Sequence, residues 1–260
     1  MTESSLQISL VDRVVVVTGA GSGIGRALAI GFCRDGAQVV GFGRTAADLE
    51  ATRKLCKDGR MHSVVGDLAR PADVDRLFAE VQSRWGRVDI LINNAALYPK
   101  VPFLSATPAE WAEVMQVNVI AMAHCCRAAL PGMLQRGFGR ILNVGSFAWK
   151  GPIPASSAYS TSKAAVAVLT RCIALEIDRA VYPNVLVNEF LPGSTRTGMS
   201  DSGSDPVDVY PHARYVATLP ANGPQGAVFD RSDLVVVDQG LRSRARRWFG
   251  RWNRGRRRPG

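Results

Sequence analysis

Short apolar runs recur along the chain, and longer segments with helical periodicity separate them. The runs are apolar throughout rather than alternating with polar residues, which is typical of parallel strands covered on both faces. Because helical patterns fill the intervals, we predict one α/β domain, a Rossmann-type doubly wound parallel sheet of about seven strands flanked by helices. The predicted strands are residues 13–19, 38–43, 62–68, 88–95, 140–146, 185–191 and 234–238.

The longest helical pattern begins after Thr107. Pro108 occupies the first helical position, and Glu110 stands three residues after Thr107, which is the arrangement of a capping box. Farther along, residues 194–209 are rich in Gly, Ser and Asp and follow neither period, so we expect an irregular, mobile lid there. The chain shows no internal repeat and no linker between domains.

The excess positive charge lies at the end of the chain. The formal net charge is +10, but residues 241–260 contain nine arginines and no acidic residue, so subtracting 9 from 10 leaves +1 for residues 1–240. We therefore predict a nearly neutral domain at 1–240 and a disordered, Arg-rich tail at 241–260. An alternative is that the tail contacts an anionic membrane or nucleic acid, since Trp248, Phe249 and Trp252 lie among its arginines.

The sequence also bears on location and metal binding. The N-terminal segment lacks the basic-then-apolar order of a signal peptide, and no run of about 18 apolar residues occurs, so we expect a cytoplasmic protein without a transmembrane helix. No CxxC pair occurs among the five cysteines, which we expect to be reduced and buried. The three histidines are far apart in sequence, so no metal site is predicted.

Three glycines lie between the first predicted strand and the first helical pattern. Gly19, Gly23 and Gly25 permit a tight turn and let backbone N–H groups approach a pyrophosphate, at which the following helix directs its positive N-terminus. A glycine-rich turn without a ligand would contain the same residues, but the strand–turn–helix context favours a dinucleotide.

The residue at the end of the second predicted strand indicates which dinucleotide is bound. Folds that bind NAD usually place an acidic residue there to accept from the ribose 2′-OH, whereas this chain has Arg44. A guanidinium binds phosphate in a bidentate manner, so Arg44 favours NADP(H). The alternative is an exposed arginine at a strand end, in which case NAD(H) stays open.

A tyrosine and a lysine lie four residues apart in a helical pattern. Tyr159 and Lys163 therefore share one face of the helix. By itself this spacing is common on solvated helix edges, so further motifs must decide whether the two residues form a proton-transfer pair.

Taken in order, the motifs resemble those of the short-chain dehydrogenase/reductase family, in particular its carbonyl-reductase-like members. The glycine spacing is TGxxxGxG, NNAA at 93–96 is similar to the family's NNAG segment, and LPGSTRT at 191–197 matches its PGxxxT segment. The positions of the family's catalytic tetrad are filled by Asn118, Ser146, Tyr159 and Lys163.

The resemblance implies a role for each tetrad residue. Tyr159 would exchange a proton with the carbonyl or alcohol oxygen, and Ser146 would hydrogen-bond that oxygen. Lys163 would lower the pKa of Tyr159 and hold the nicotinamide ribose, and Asn118 would hold a water that links Lys163 to solvent. The alternatives are that Ser146 only caps a turn and that Asn118 only satisfies a helix kink.

The resemblance also implies a cofactor site and a substrate site. The cofactor residues are Gly19, Ser22, Gly23, Ile24, Gly25, Arg44, Asp67, Leu68, Asn94, Ala95, Tyr159, Lys163, Pro192, Gly193, Thr195 and Thr197. The substrate residues are Ser146, Tyr98, Phe147, Trp149 and Tyr159, with Ala96, Leu97, Ile153, Pro154 and the lid nearby. This set is mostly apolar or aromatic and has no fixed charge beside Ser146, which suggests a hydrophobic substrate. Core packing is the alternative explanation of these aromatics.

The sequence thus favours an NADP(H)-dependent oxidoreductase that interconverts a hydrophobic ketone and a secondary alcohol. Two alternatives stay open: an NAD-dependent secondary-alcohol dehydrogenase, and a non-catalytic cofactor-binding protein that acts through its basic tail. The resemblance further implies a homo-oligomer, with a tetramer favoured over a dimer, assembled through the helices around Asn118 and Tyr159.

Overall fold

Eight strands form one sheet in the computed structural model, which describes residues 7–235 apart from the side chain of Asp58. The spatial order is β3-β2-β1-β4-β5-β6-β7-β8, and all neighbouring pairs are parallel except β7 and β8. The predicted doubly wound parallel sheet is confirmed. The strands are β1 (Val14–Thr18), β2 (Gln38–Gly43), β3 (Met61–Val65), β4 (Ile90–Asn93), β5 (Gly139–Val144), β6 (Val185–Leu191), β7 (Val228–Asp230) and β8 (Asp233–Val235).

Helices cover both faces of this sheet, which explains why its strands are apolar on both sides. In β1, Val15 and Val17 belong to the core beneath α1 and α7, whereas Val14 and Val16 belong to the core beneath α3, α5 and α6. Because β1 lies between β2 and β4, the winding direction reverses there, and a crevice is expected beyond the carboxyl ends of β1 and β4. The helices are α1 (Gly23–Arg34), α2 (Ala46–Leu55), α3 (Pro71–Trp85), α4 (Pro108–Met115), α5 (Ala121–Arg136), α6 (Ser157–Glu176) and α7 (Tyr210–Ala217).

The end of the sheet differs from the sequence prediction. The seventh parallel strand is β7 rather than the predicted run 234–238, and β8 returns antiparallel to it. Arg231 makes this tight return possible by adopting a φ of 55°. Of the predicted run, residues 234 and 235 lie in β8, while 236–238 lie outside the described residues, as do the predicted domain end at 240 and the Arg-rich tail at 241–260.

A capping box opens the longest helical segment, as predicted. The backbone N–H of Glu110 donates to Thr107 Oγ1 at 3.2 Å, and the Thr107 N–H donates to Glu110 Oε2 at 2.8 Å. A π-helical turn at Gln116–Ile120 joins α4 to α5, and the resulting helix is long and apolar enough to cross a membrane, by length and composition only. This segment contacts α3, α6, β4 and β5, and buried side chains such as Met133 belong to the core, which accounts for its apolar character.

Candidate active site

A cavity of about 830 Å³ lies beyond the carboxyl ends of the central strands, at the crevice that the topology predicts. Several segments of the chain form its wall. They are the turn after β1, the ends of β2 and β3, the segment after β4, the start of the segment after β5, α6 and the segment after β6. Every predicted cofactor residue lines this cavity: Gly19, Ser22, Gly23, Ile24, Gly25, Arg44, Asp67, Leu68, Asn94, Ala95, Tyr159, Lys163, Pro192, Gly193, Thr195 and Thr197.

The glycine turn leaves bare backbone at one end of the cavity. Gly19 has a φ of 69°, in the left-handed region that favours glycine. A Cβ on Gly25 would lie 2.0 Å from the carbonyl oxygen of Gly19, so no side chain fits there. The Ser22 side chain makes no hydrogen bond to the first turn of α1, and that turn contains no acidic residue. The N–H groups of this helix end are therefore suited to an anion.

The turn after β1 is tied to the segment after β4 by Thr18. The hydroxyl Oγ1 of Thr18 accepts from the N–H groups of Asn94 at 3.0 Å and Ala95 at 3.1 Å, and Asn94 Nδ2 donates to the carbonyl oxygen of Thr18 at 2.9 Å. These bonds fix the two strand ends on either side of the crevice. They explain why Asn94 and Ala95, which the sequence placed in the cofactor site, line the same cavity as the glycine turn.

Two opposite charges lie at the end of the cavity beside β2. Arg44 follows β2 directly and is exposed, and Asp48 belongs to the first turn of α2. The Cβ atom of Asp48 lies 2.9 Å from the position of a Cβ on Gly21, so the acidic side chain begins beside the glycine turn. The sequence reasoning identified Arg44 but missed Asp48, which lies in the first turn of α2.

The predicted pair of α6 lies at the other end of the cavity. Lys163 Nζ is buried, lies 5.6 Å from the centroid of the Tyr159 ring, and donates to the carbonyl oxygen of Val144 at 2.7 Å. Ser146 follows β5, and its hydroxyl accepts from the N–H of Ala148 at 3.1 Å, so it does cap a turn. Ser146 also acts on the phenol of Tyr159, whose ionised form it favours.

Burial dominates the electrostatics of this pair. It raises the pKa of Tyr159 above its usual value, and Ser146 only partly opposes that effect. Burial also lowers the pKa of Lys163 to about 8, against the attraction of Glu189. In both residues, burial thus acts against the charged form.

Asn118 sits inside the π-helical turn between α4 and α5. Its Oδ1 accepts from the Leu97 N–H at 2.7 Å, and its Nδ2 donates to the Leu97 carbonyl at 2.9 Å and to Ser162 Oγ at 2.9 Å. Both amide N–H donors are used, so the side chain ties the segment after β4 to α6. This geometry matches the helix-kink alternative for the Asn118 side chain.

Aromatic side chains surround the phenol of Tyr159. The Tyr98 ring stacks on it with centroids 4.4 Å apart and an interplanar angle of 28°. The predicted neighbours Ala96, Leu97, Phe147 and Ile153 also line the cavity. Trp149 and Pro154 do not line it, and Trp149 Nε1 is buried without a hydrogen-bond partner within residues 7–235. For Trp149 the alternative of a packing role is the better description.

The segment that we expected to be a lid has internal hydrogen bonds. The N–H of Arg196 donates to the Ser204 carbonyl at 2.9 Å, and the N–H of Thr197 donates to the Ser200 carbonyl at 2.8 Å, so residues 194–204 form a small flap. The Thr197 methyl carbon lies 3.2 Å from the position of a Cβ on Gly23, so the flap rests against the glycine turn.

Comparison with known proteins establishes the family. A family model described as short chain dehydrogenase matches residues 13–207. The chain belongs to the short-chain dehydrogenase family. It is an oxidoreductase of the class that acts on CH–OH and C=O groups, as the sequence resemblance predicted.

This short-chain dehydrogenase is similar to several known proteins. An uncharacterized oxidoreductase of Bacillus subtilis is 36% identical over 193 residues, which cover 74% of this chain and 72% of that protein. A solved structure described as an NAD(P)-dependent gluconate 5-dehydrogenase of Beutenbergia cavernae, with bound NADP, has a TM-score of 0.77 and 33% identity over 85% of this chain and 95% of its own. The structure of the 3-ketoacyl-(acyl-carrier-protein) reductase of Brucella melitensis, complexed with NADH, has a TM-score of 0.79 and 28% sequence identity. The match covers 86% of this chain and 100% of that chain.

One further polar group of this short-chain dehydrogenase lies near the tetrad and was not singled out from the sequence. Glu189 is on β6, has no exposed surface, and acts electrostatically on Lys163. Apart from Asn188, the other residues of β6 are apolar, so an acidic residue in this strand was a signal that the sequence reasoning did not use.

Proposed function

We propose that this short-chain dehydrogenase interconverts a hydrophobic ketone and a secondary alcohol with NADP(H), and that Tyr159 is the proton donor and acceptor. The observation that carries the proposal is the meeting of Tyr159, Ser146 and Lys163 in a cavity whose other end is the glycine turn. A buried phenol beside a hydroxyl and a lysine is suited to proton transfer with an oxygen of a substrate.

The cavity fits a dinucleotide. A side chain at Gly25 would overlap the Gly19 carbonyl, so the bare backbone and the uncapped N-terminus of α1 offer N–H donors to a pyrophosphate. Arg44 at the far end supports a 2′-phosphate, and NAD(H) is the second possibility because Asp48 lies beside it. When bound, the nicotinamide would supply or accept the hydride.

The residues of this chain would act on the substrate oxygen and its proton. Tyr159 Oη would give a proton to the carbonyl oxygen in reduction, or take it from the alcohol in oxidation. The Ser146 hydroxyl would hydrogen-bond the same oxygen as charge develops on it. Lys163, in its protonated form, would stabilise the tyrosinate that remains. Asn118 holds Leu97 and Ser162 in place around this group.

The lining near Tyr159 supports a hydrophobic substrate. Leu97, Phe147 and Met199 line this part of the cavity, and the Tyr98 ring covers the phenol. A second candidate is a polyhydroxy substrate, which is favoured by the similarity to the protein described as a gluconate 5-dehydrogenase. Such a substrate needs several hydrogen-bonding partners, which Ser194, Thr195 and Ser200 of the flap could supply.

Turnover of NADPH with two substrate panels tests both the reaction and the substrate class. One panel contains aryl and alicyclic ketones, and the other contains keto-sugars and keto-acids of sugars. We expect turnover with the first panel, a loss of about 10²–10⁴-fold in kcat for Tyr159→Phe, and unchanged NADPH binding by that variant. Tyr215→Phe on α7 is the matched control and should behave like the unaltered enzyme. Substantial turnover by Tyr159→Phe would refute the assignment, and turnover confined to the second panel would favour the polyhydroxy class.

The exposed apolar residues on two helices support a homo-oligomer. Ile120 in the π turn is 53% exposed, and Val168 and Leu175 on α6 are 52% and 61% exposed. These helices surround Asn118 and Tyr159, where we expect subunits to meet. We propose a tetramer or a dimer with this face buried.

A further inference from the structure

A carboxyl group lies inside the domain, on β6 beside the end of β5. Every residue of β6 is buried, and the Glu189 side chain is wholly inaccessible to solvent. Neither Oε1 nor Oε2 of Glu189 has a hydrogen-bond partner among the residues that the structure describes. A carboxyl group buried in this way is costly unless a nearby charge stabilises its ionised form, so its surroundings indicate what it does.

Gly145 provides the room for this carboxyl group. A Cβ on Gly145 would lie 2.0 Å from Glu189 Oε1 and 2.7 Å from its Cδ, so the carboxyl group occupies the space of a residue 145 side chain. The preceding carbonyl, that of Val144, accepts the hydrogen bond from Lys163 Nζ at 2.7 Å, and the following residue is Ser146. The carboxyl group and the ammonium group thus lie against consecutive residues at the end of β5.

The charged groups that act on Glu189 are all cations. Lys163 and Arg171 belong to α6, and Lys150 belongs to the segment after β5. Lys163 has the largest effect of the three, and it is also the most deeply buried of them. Burial raises the pKa of Glu189 to about 7, and Lys163 opposes that rise. In return, Glu189 opposes the fall that burial causes in the pKa of Lys163.

We propose that Glu189 is a positioning residue whose carboxylate acts as the internal counter-charge that keeps Lys163 protonated beside Tyr159. The proposal rests on the function proposed above for Tyr159 and Lys163. Each group favours the charged form of the other, because Lys163 acts to lower the pKa of Glu189 and Glu189 acts to raise the pKa of Lys163. Neither Glu189 nor Lys163 is among the groups that shift the pKa of Tyr159, so the proposal concerns the charge of the lysine and not the pKa of the phenol.

The pH profile of kcat for Glu189→Gln tests this role. The amide has the shape of the acid but no charge, so Lys163 should lose its proton at lower pH, and the alkaline limb of the profile should move down by about one pH unit. Glu176→Gln, at the exposed end of α6, is the matched control and should leave the profile in place. Glu189→Asp keeps the charge and should restore most of the alkaline limb. An alkaline limb that does not move in Glu189→Gln would refute the proposal.

A second measurement needs neither substrate nor cofactor. In protein labelled with ¹³C at the glutamate carboxyl carbons, one resonance should titrate near pH 7 and be missing from Glu189→Gln. Coupling between two sites is reciprocal. Lys163→Met should therefore raise the titration midpoint of that resonance by about the pH shift seen in the kcat profile of Glu189→Gln. Lys150→Met should raise the midpoint less. A midpoint that Lys163→Met leaves unchanged would contradict the coupling.

The two measurements also separate this proposal from the proposed function. If the unaltered enzyme turns over neither panel but the midpoint of Glu189 moves in Lys163→Met, the counter-charge stands and the proposed reaction fails. If the enzyme turns over a ketone and neither Glu189→Gln nor Lys163→Met shows a shift, the reaction stands and the counter-charge fails.

Discussion

Arg44→Ala tests whether this chain prefers a dinucleotide with a 2′-phosphate. Arg44 lines the cavity at the end of β2 and is exposed, so its contact with a phosphate is partly screened by solvent. A hydrogen bond to a charged group contributes about 1.5–3 kcal/mol, and for an exposed side chain we use the lower limit. A loss of about 1.4 kcal/mol is a tenfold change in Kd. We therefore expect Arg44→Ala to weaken NADPH binding about tenfold and NADH binding by less than twofold.

Removing the charge of Asp48, the acidic residue at the same end of the cavity, should have the opposite effect on NADPH binding. Asp48 lines the same end of the cavity and repels a 2′-phosphate, while its carboxylate can accept from a 2′-OH. An interaction of an exposed charge contributes about 0.5–1 kcal/mol to binding. Asp48→Asn should therefore tighten NADPH binding about two- to fivefold and should not tighten NADH binding. Lys54→Ala on the same helix is the matched control, since it removes an exposed charge that does not line the cavity.

Fluorescence titration of each variant with NADPH and NADH, at low and at physiological salt, measures these changes. The effects on NADPH should shrink as salt rises, because the contacts are exposed. If Arg44→Ala weakens both dinucleotides equally, the 2′-phosphate argument is wrong, and Arg44 contributes to both through general electrostatics or through the shape of the turn.

Three further substitutions test the cavity, the π turn and the subunit contact. Gly25→Ala should weaken NADPH binding at least tenfold in a titration, because its Cβ would lie 2.0 Å from the Gly19 carbonyl oxygen and displace the turn; binding at the original strength would show that the turn is not the phosphate site. Asn118→Ala should lower the free energy of unfolding by about 2–4 kcal/mol in urea, because it leaves the backbone groups of Leu97 without partners; a loss below about 0.5 kcal/mol would mean that water replaces the amide. Leu175→Glu should lower the mass measured by light scattering, and an unchanged mass would place the subunit contact elsewhere.

The parts of the fold that could be predicted are those written in short stretches of sequence. Six of the strands lie close to their predicted positions because strands covered on both faces form uninterrupted apolar runs. The capping box at Thr107 and the glycine turn at Gly19 are likewise local, since their hydrogen bonds and backbone angles depend on residues a few positions apart. Tyr159 and Lys163 share a helix face for the same reason.

The parts that could not be predicted depend on contacts between distant segments. Glu189 fits only because Gly145, on another strand, has no side chain, and neither residue indicates this by itself. The π turn at Gln116–Ile120 has no local sequence mark that distinguishes it from an ordinary helix. The strand β7 has three residues, so the longer apolar run that follows it hid its position. Cys172 is exposed although we expected a buried thiol, because its helix has one face outside the core.

The flap has a consequence for the timing of catalysis. Thr197 lies against Gly23, where a pyrophosphate would bind, and Met199 and Ser200 border the part of the cavity that would hold the substrate. We expect a dinucleotide to displace the flap as it enters and as it leaves, and a ketone to bind beneath the flap. We therefore expect an obligatory order, with the dinucleotide first in and last out, and a maximal rate set by its departure. Ketones of very different intrinsic reactivity would then share nearly the same kcat.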